Sequence, residues 1–176
     1  QYTNNGTGPD IGAYERGNTN WTAGHDWDLG STFGNNWIPM HNLSISGNSG
    51  FRMMSSPVSG AILADLLDEL WIQGMIGGDT ENGNSNIWLL DLAGQSWSPV
   101  SNITTQTLSA GQGFLAYVFQ DCDNDGDNDL PIDLFVSGNH NQSTVTISSI
   151  PQNSYYLSGN PYTKTLDWDN ISKTNL

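Results

Sequence analysis

Gly113-Phe114-Leu115-Ala116-Tyr117-Val118-Phe119 runs into Asp121-Cys122-Asp123-Asn124-Asp125-Gly126-Asp127-Asn128-Asp129, and Ile132-Asp133-Leu134-Phe135-Val136 follows. Two short apolar runs, 114–119 and 132–136, flank a loop that is almost all oxygen. Apolar runs of this length, bounded by glycine and aspartate, read as strands. The acidic tip between them reads as a loop joining the two strands. These residues set the fold class, and the rest of the chain follows the same pattern.

Moving outward, Leu43-Ser44-Ile45-Ser46 alternates and stops at Gly47-Asn48, and Phe51-Arg52-Met53-Met54 stops at Ser55-Ser56-Pro57. Further candidate strands cover 87–92, 143–147 and 155–157. Turns fall at Gly94-Gln95, Gly111-Gln112-Gly113, Gly138-Asn139 and Gly159-Asn160-Pro161. Strands at this density predict an all-β domain, a β-sandwich or jelly-roll-like module closed by an Asp-rich calcium-loop hairpin. One segment departs from it. Ile62, Leu63, Leu66, Leu67 and Leu70 lie at helical spacing, which predicts a short helix over 61–71, with Ser59 as N-cap and Gly74 as stop. A partner-binding helix and a helix closing one end of the sandwich are both compatible with that stripe.

Alternate oxygen ligands with a glycine at the sixth position are what a hard cation of calcium size requires. The alternate side chains converge, and glycine permits the sharp turn. In this arrangement Asp121, Asp123 and Asp125 ligate through their carboxylates, Asp127 through its carbonyl, and Asp129 directly or through water. Position twelve, where an EF-hand carries a bidentate Glu, is Ile132, and Asp133 follows as a late ligand. With strands on both sides in place of helices, the expectation is a structural calcium loop; a solvated acidic tip is the plain alternative. A second run, Asp79-Thr80-Glu81-Asn82-Gly83-Asn84-Ser85-Asn86, has fewer carboxylates and reads as an Asn/Gly loop. Asp167 and Asp169 flank Trp168, either as a ligand pair or as alternation on a short strand.

The chain has 176 residues, 18 acids against 4 bases and a net charge of −14. So few cations cannot neutralise a phosphate backbone and disfavour anionic lipid, and no stretch approaches the length of a membrane-spanning helix, so neither nucleic acid nor direct membrane insertion is expected. With 20 Gly and 7 Pro, composition favours short strands and turns over long helices. A single cysteine, Cys122, leaves no intrachain disulfide or Cys-cluster metal site, and its acidic neighbours should raise its pKa. Asn, Ser, Thr, Gly and aromatics in place of Lys and Glu point to an extracellular or cell-surface location.

Catalytic signatures are sparse. His25, His41 and His140 lie far apart, and the chain carries no His-Glu-x-x-His, no Gly-x-Ser-x-Gly and no phosphate-loop lysine. The expectation is a protein that is not an enzyme.

Four stretches, in order, resemble an accessory β-sandwich module of large secreted or cell-surface proteins exported by type IX secretion. They are Phe51-Arg52-Met53-Met54-Ser55-Ser56-Pro57-Val58; the helix with Leu70-Trp71-Ile72-Gln73-Gly74; Gly113 to Phe119 with its acidic loop; and Leu157-Ser158-Gly159-Asn160-Pro161-Tyr162 with Leu166-Asp167-Trp168-Asp169. Upstream, Gly8-Pro9-Asp10-Ile11-Gly12-Ala13-Tyr14-Glu15 resembles the end of a parallel β-helix domain. Asn36-Trp37-Ile38-Pro39 resembles a Trp-containing linker. The resemblance implies a tail over 1–20, a Trp-containing linker packed on the sheet over 21–42, and the sandwich over 43–176. It also implies an excised piece of a multidomain protein, with no sorting domain after Leu176.

Two functions follow. The first is a non-catalytic structural and adhesive module, stiffened by calcium and contacting neighbouring domains of the same polypeptide or other surface proteins. The second is a carbohydrate-binding module of a polysaccharide-degrading protein. Burial of Trp71, Trp88, Trp97 and Trp168 would favour the first, and an exposed coplanar Trp pair the second.

Overall fold

The computed structural model describes residues 40–148 and 150–173. The tail over 1–20, nearly all of the linker over 21–42, and His25 lie outside the described residues. The described residues are mostly β, with almost no helix, and their strands form two antiparallel sheets, consistent with an all-β sandwich. Strand β1 (Met40–Ile45) pairs with β6 (Ile132–Ser137), Ile45 opposite Ile132 and Met40 opposite Ser137. The second sheet has the order β2-β5-β3-β4, with β2 at Gly50–Ser55, β3 at Ile87–Asp91, β4 at Ser96–Pro99 and β5 at Gly113–Val118.

Period-2 alternation explains β5. Phe114, Ala116 and Val118 are buried, while Leu115 and Tyr117 face the other side and are half-buried. The core joins these residues to Met54, Ile87, Ile45, Leu134, Val136 and a cluster of leucines at 63, 66, 67 and 70. The opposite face of the four-stranded sheet is apolar too, where a half-solvated sheet is usually polar. Met53, Leu115, Trp88 and Pro99 stand in one row across all four strands, with Phe51 opposite Tyr117 and Leu90 opposite Trp97 on the same face. Phe51 is 59% exposed and Met53 71%.

Three expectations are corrected. The acidic loop does not close a hairpin, because β5 and β6 belong to different sheets and the loop crosses between them. Each flanking strand finds its partner elsewhere in the chain, and local sequence does not encode that choice. The helix is one turn, α1 (Leu63–Leu66), capped by Ile62 rather than Ser59. Ile62 is held in a bridge to Thr107, and the Leu63 and Ala64 amides donate to the Gln106 and Ile103 carbonyls, so tertiary partners fix where the helix starts. Leu67 and Leu70 keep the helical spacing but lie on a turn, the Leu70 amide donating to the Leu67 carbonyl. Residues 143–147 and 155–157 join no strand ladder. Their apolar side chains lie over the start of β5, where a Cβ on Gly111 would meet Ile147 and one on Gly113 would sit 2.6 Å from Leu157 Cγ.

β4 carried no apolar run and was not expected. Its hairpin is set by Asp91, whose carboxylate accepts from the Ala93 and Gly94 amides, and by Gln95 at φ 49°. Asp167 and Asp169 lie not on a strand but at a single 3-10 turn, Trp168–Asn170, where the Asp167 carboxylate accepts from the Asp169 amide.

Candidate metal centre

The acidic loop starts where β5 ends and is tied to the β1–β2 turn by the Gln120 amide, which donates to Ser49 Oγ at 2.8 Å. Inside the loop, carboxylates organise backbone. Asp121 accepts from the Asp125 and Gly126 amides at 3.1 and 2.9 Å, Asp123 from Asp125 at 3.2 Å, and Asp125 from Asp127 at 2.9 Å. Asp129 closes the loop, accepting from the Cys122 amide while its own amide donates to the Gln120 carbonyl. Asn124 and Gly126 take positive φ, 61° and 104°. A Cβ on Gly126 would find open space, so glycine is there for its backbone conformation and not for room.

The result is a group of three acids. Carboxylate oxygens of Asp121, Asp123 and Asp129 lie within 4.8 Å of one another, so these three could hold a metal ion. The Asp125 carboxylate, expected as a ligand, stands outside that group, turned to the Asp127 amide, and the group, built from side-chain oxygens, does not bear on the Asp127 carbonyl. Asp133 is exposed on β6 opposite Ser44 and likewise stands apart from it. Loss of hydration raises the Asp123 carboxyl above its ordinary value, and the charges of Asp125, Asp129 and Asp121 add to that against the lowering by the Asp125 amide. The Cys122 thiol is raised as well, first by burial and then by Asp129, Asp121 and Asp123. Sequence reading anticipated the direction and the acids, but burial is the larger cause.

Beside the loop is a cleft of about 160 Å³ lined by Ser49, Trp71, Gln73, Phe119, Gln120, Asp121 and Asn124. Its wall at Trp71–Gln73 is positioned by Asn86, 3% exposed. The Asn86 carboxamide accepts from the Gln73 amide at 3.0 Å and donates to the Trp71 and Tyr117 carbonyls at 2.9 and 3.1 Å. Asp79 accepts from the Ile72 amide at 2.7 Å. The run 79–86 thus provides structural side chains, as an Asn/Gly loop. Gly74, at φ 73°, allows the close approach, since a Cβ there would lie 2.4 Å from the Ser85 nitrogen. Asn86 is a residue the sequence did not single out; its one signal is an Asn directly before the apolar start of β3.

His41 and His140, distant in sequence, are ring neighbours at 5.7 Å and 86°. His41 is held below its ordinary pKa by burial and by the His140 charge, with the Gly138 backbone opposing. None of Trp71, Trp88, Trp97 and Trp168 is buried in the core: the first two are half-buried, and Trp97 and Trp168 are exposed. No helix among the described residues is long and apolar enough to cross a membrane. Compared with known protein families, curated proteins and solved structures, the chain gives no match.

Proposed function

We propose that this chain is a non-catalytic structural and adhesive module of a secreted or cell-surface multidomain protein, and that calcium in the Asp-rich loop locks its two sheets together. One observation carries the reading: Asp121, Asp123 and Asp129 converge on the connection that crosses from β5 to β6. A cation there replaces mutual repulsion of carboxylates with attraction and fixes the crossing. Hard oxygen ligands without sulfur or imidazole favour calcium over zinc or copper. The ordered resemblance to type IX-exported modules and the Lys-poor composition support a place outside the cell. Neighbouring domains of the same polypeptide or other surface proteins are the partners in this reading.

A thermal melt in millimolar calcium, then in chelator, tests it. If calcium is at a hundred times its dissociation constant, it stabilises by about 2.7 kcal/mol. Asp123→Asn with Asp129→Asn should remove the calcium-dependent rise in melting temperature. An equal melt in calcium and chelator for the unaltered protein would refute the locking role.

A further inference from the structure

Away from the acidic loop, the far end of the apolar sheet face is bordered by a groove of about 300 Å³. Leu90 and Trp97 line it from the β3–β4 hairpin, Gln95 from the hairpin turn, and Tyr155, Tyr156 and Leu157 from the segment that packs on the start of β5. The two sides are fastened together. Gln95 accepts from the Tyr155 amide at 2.6 Å and donates to the Tyr155 carbonyl at 3.3 Å, so one carboxamide grips one residue's backbone from both directions. A second strap, the Gly113 amide donating to the Leu157 carbonyl at 3.0 Å, lies two residues on. The backbone of this aromatic wall is therefore fixed before any ligand arrives, which reduces the ordering cost of binding.

Gripped through its backbone, Tyr155 turns its ring outward and is 83% exposed, while Trp97 opposite is 42% exposed. Among the described residues neither the Tyr155 nor the Tyr156 hydroxyl has a hydrogen-bond partner in the protein. Tyr156 is raised above the ordinary phenol value by burial, with no hydrogen bond contributing. None of the six lining residues is charged, although the chain carries −14. Phosphates, sulfates and uronic acids would approach an acidic protein with no local cation to receive them. Cations would find no carboxylate in the groove. The groove by itself is too small to be a protein interface, which needs about 800 Å² and 20–30 residues on each side. A groove of this volume is at the lower end of the range for small-molecule sites. Electron-rich aromatic faces meet the C–H face of a sugar ring, and phenol hydroxyls meet its hydroxyl groups.

We infer that the Trp97–Tyr155–Tyr156 groove is a binding site for an uncharged oligosaccharide, one or two rings of a neutral polysaccharide chain. It gives the adhesive part of the module a ligand and does not depend on the metal reading. The test is affinity electrophoresis of the full chain through gels containing soluble β-1,3-glucan, β-1,4-xylan, β-1,4-mannan or α-1,4-glucan, with alginate as the anionic control. Retardation by at least one neutral polymer and not by alginate is expected, unchanged in chelator. Trp97→Ala and, separately, Tyr155→Ala should each weaken it at least tenfold. Tyr155 is 83% exposed, so Tyr155→Ala should leave the melting temperature unchanged and remains informative if Trp97→Ala, which also removes the side chain facing Leu90, folds poorly. Absence of retardation in all four gels would overturn the inference. So would retardation that survives both substitutions, that requires calcium, or that is matched by alginate. Self-association abolished by Trp97→Ala would also overturn it, and assign the face to a second copy of the chain.

Discussion

Replacing Asn86 by Ala should cost more stability than its modest size suggests. The carboxamide is buried and makes three hydrogen bonds, joining the Gln73 amide and the Trp71 carbonyl to the Tyr117 carbonyl of β5. Removing it strands one donor and two acceptors, each costing about 1–3 kcal/mol when left without a partner. Even at the lower end the sum is about 3 kcal/mol, a large part of the roughly 5–15 kcal/mol that holds a domain together. Urea unfolding followed by tryptophan fluorescence reads this directly. With a slope of about 2 kcal/mol per molar, the midpoint should fall by roughly 1.5 M. Asn86→Asp keeps an acceptor for Gln73 but loses both donors and adds a charge, so it should be no better. Asn82→Ala, in the same loop but exposed, should stay within about 0.5 kcal/mol of the unaltered protein. A midpoint for Asn86→Ala within about 0.3 M of the unaltered protein would show that the hub is not needed to hold the loop to the sheet.

The lowered pKa of His41 makes stability pH-dependent. Between its folded value and the ordinary 6.5 the unfolded chain binds more protons, so stability should drop as pH falls through 6.5 and level off below the folded value. His41→Phe should flatten that slope in melts from pH 7.5 to 5.5, and an unchanged slope would assign it to other groups. Cys122 should react with iodoacetamide more than about tenfold slower in the folded protein than in urea at the same pH, since both its burial and its thiolate fraction oppose attack. Equal rates would contradict the raised pKa. Gly113→Ala should destabilise by about 1–3 kcal/mol, because the new methyl meets Leu157. A chain cut before residue 143 should tolerate the same change far better.

How much of this was legible depends on whether a feature is local. β2, β3, β5 and β6 were readable because apolar residues and turn residues announce them. β4 was not, since Ser96, Ser98 and Pro99 leave Trp97 as its one apolar side chain. The residues at 143–147 alternate as a strand does, yet they meet Gly111 through side chains and no ladder forms. Leu67 and Leu70 satisfied the helical spacing equally well as a turn. In the acidic loop, residue types and spacing identified the region, and the folded backbone selected Asp121, Asp123 and Asp129. Which carboxylates converge depends on the backbone path through Asn124 and Gly126, both at positive φ, and spacing does not encode that path. Asn86 and the His41–His140 pair depend on contacts between distant segments, and periodicity carries no trace of them.

β1 pairs with β6, so the first described strand finds its partner only near residue 137. Until β6 exists, β1 has unpaired backbone along its length and Ile45 has no facing residue to cover it. A chain growing from its N-terminus therefore carries an incomplete sheet until β6 has emerged, and closure of this module waits for the acidic crossing to be made. Such long-range closure places folding among the slower topologies, in the millisecond-to-second range. During that interval the edges of β1 and the side chain of Ile45 are open to whatever else the chain meets.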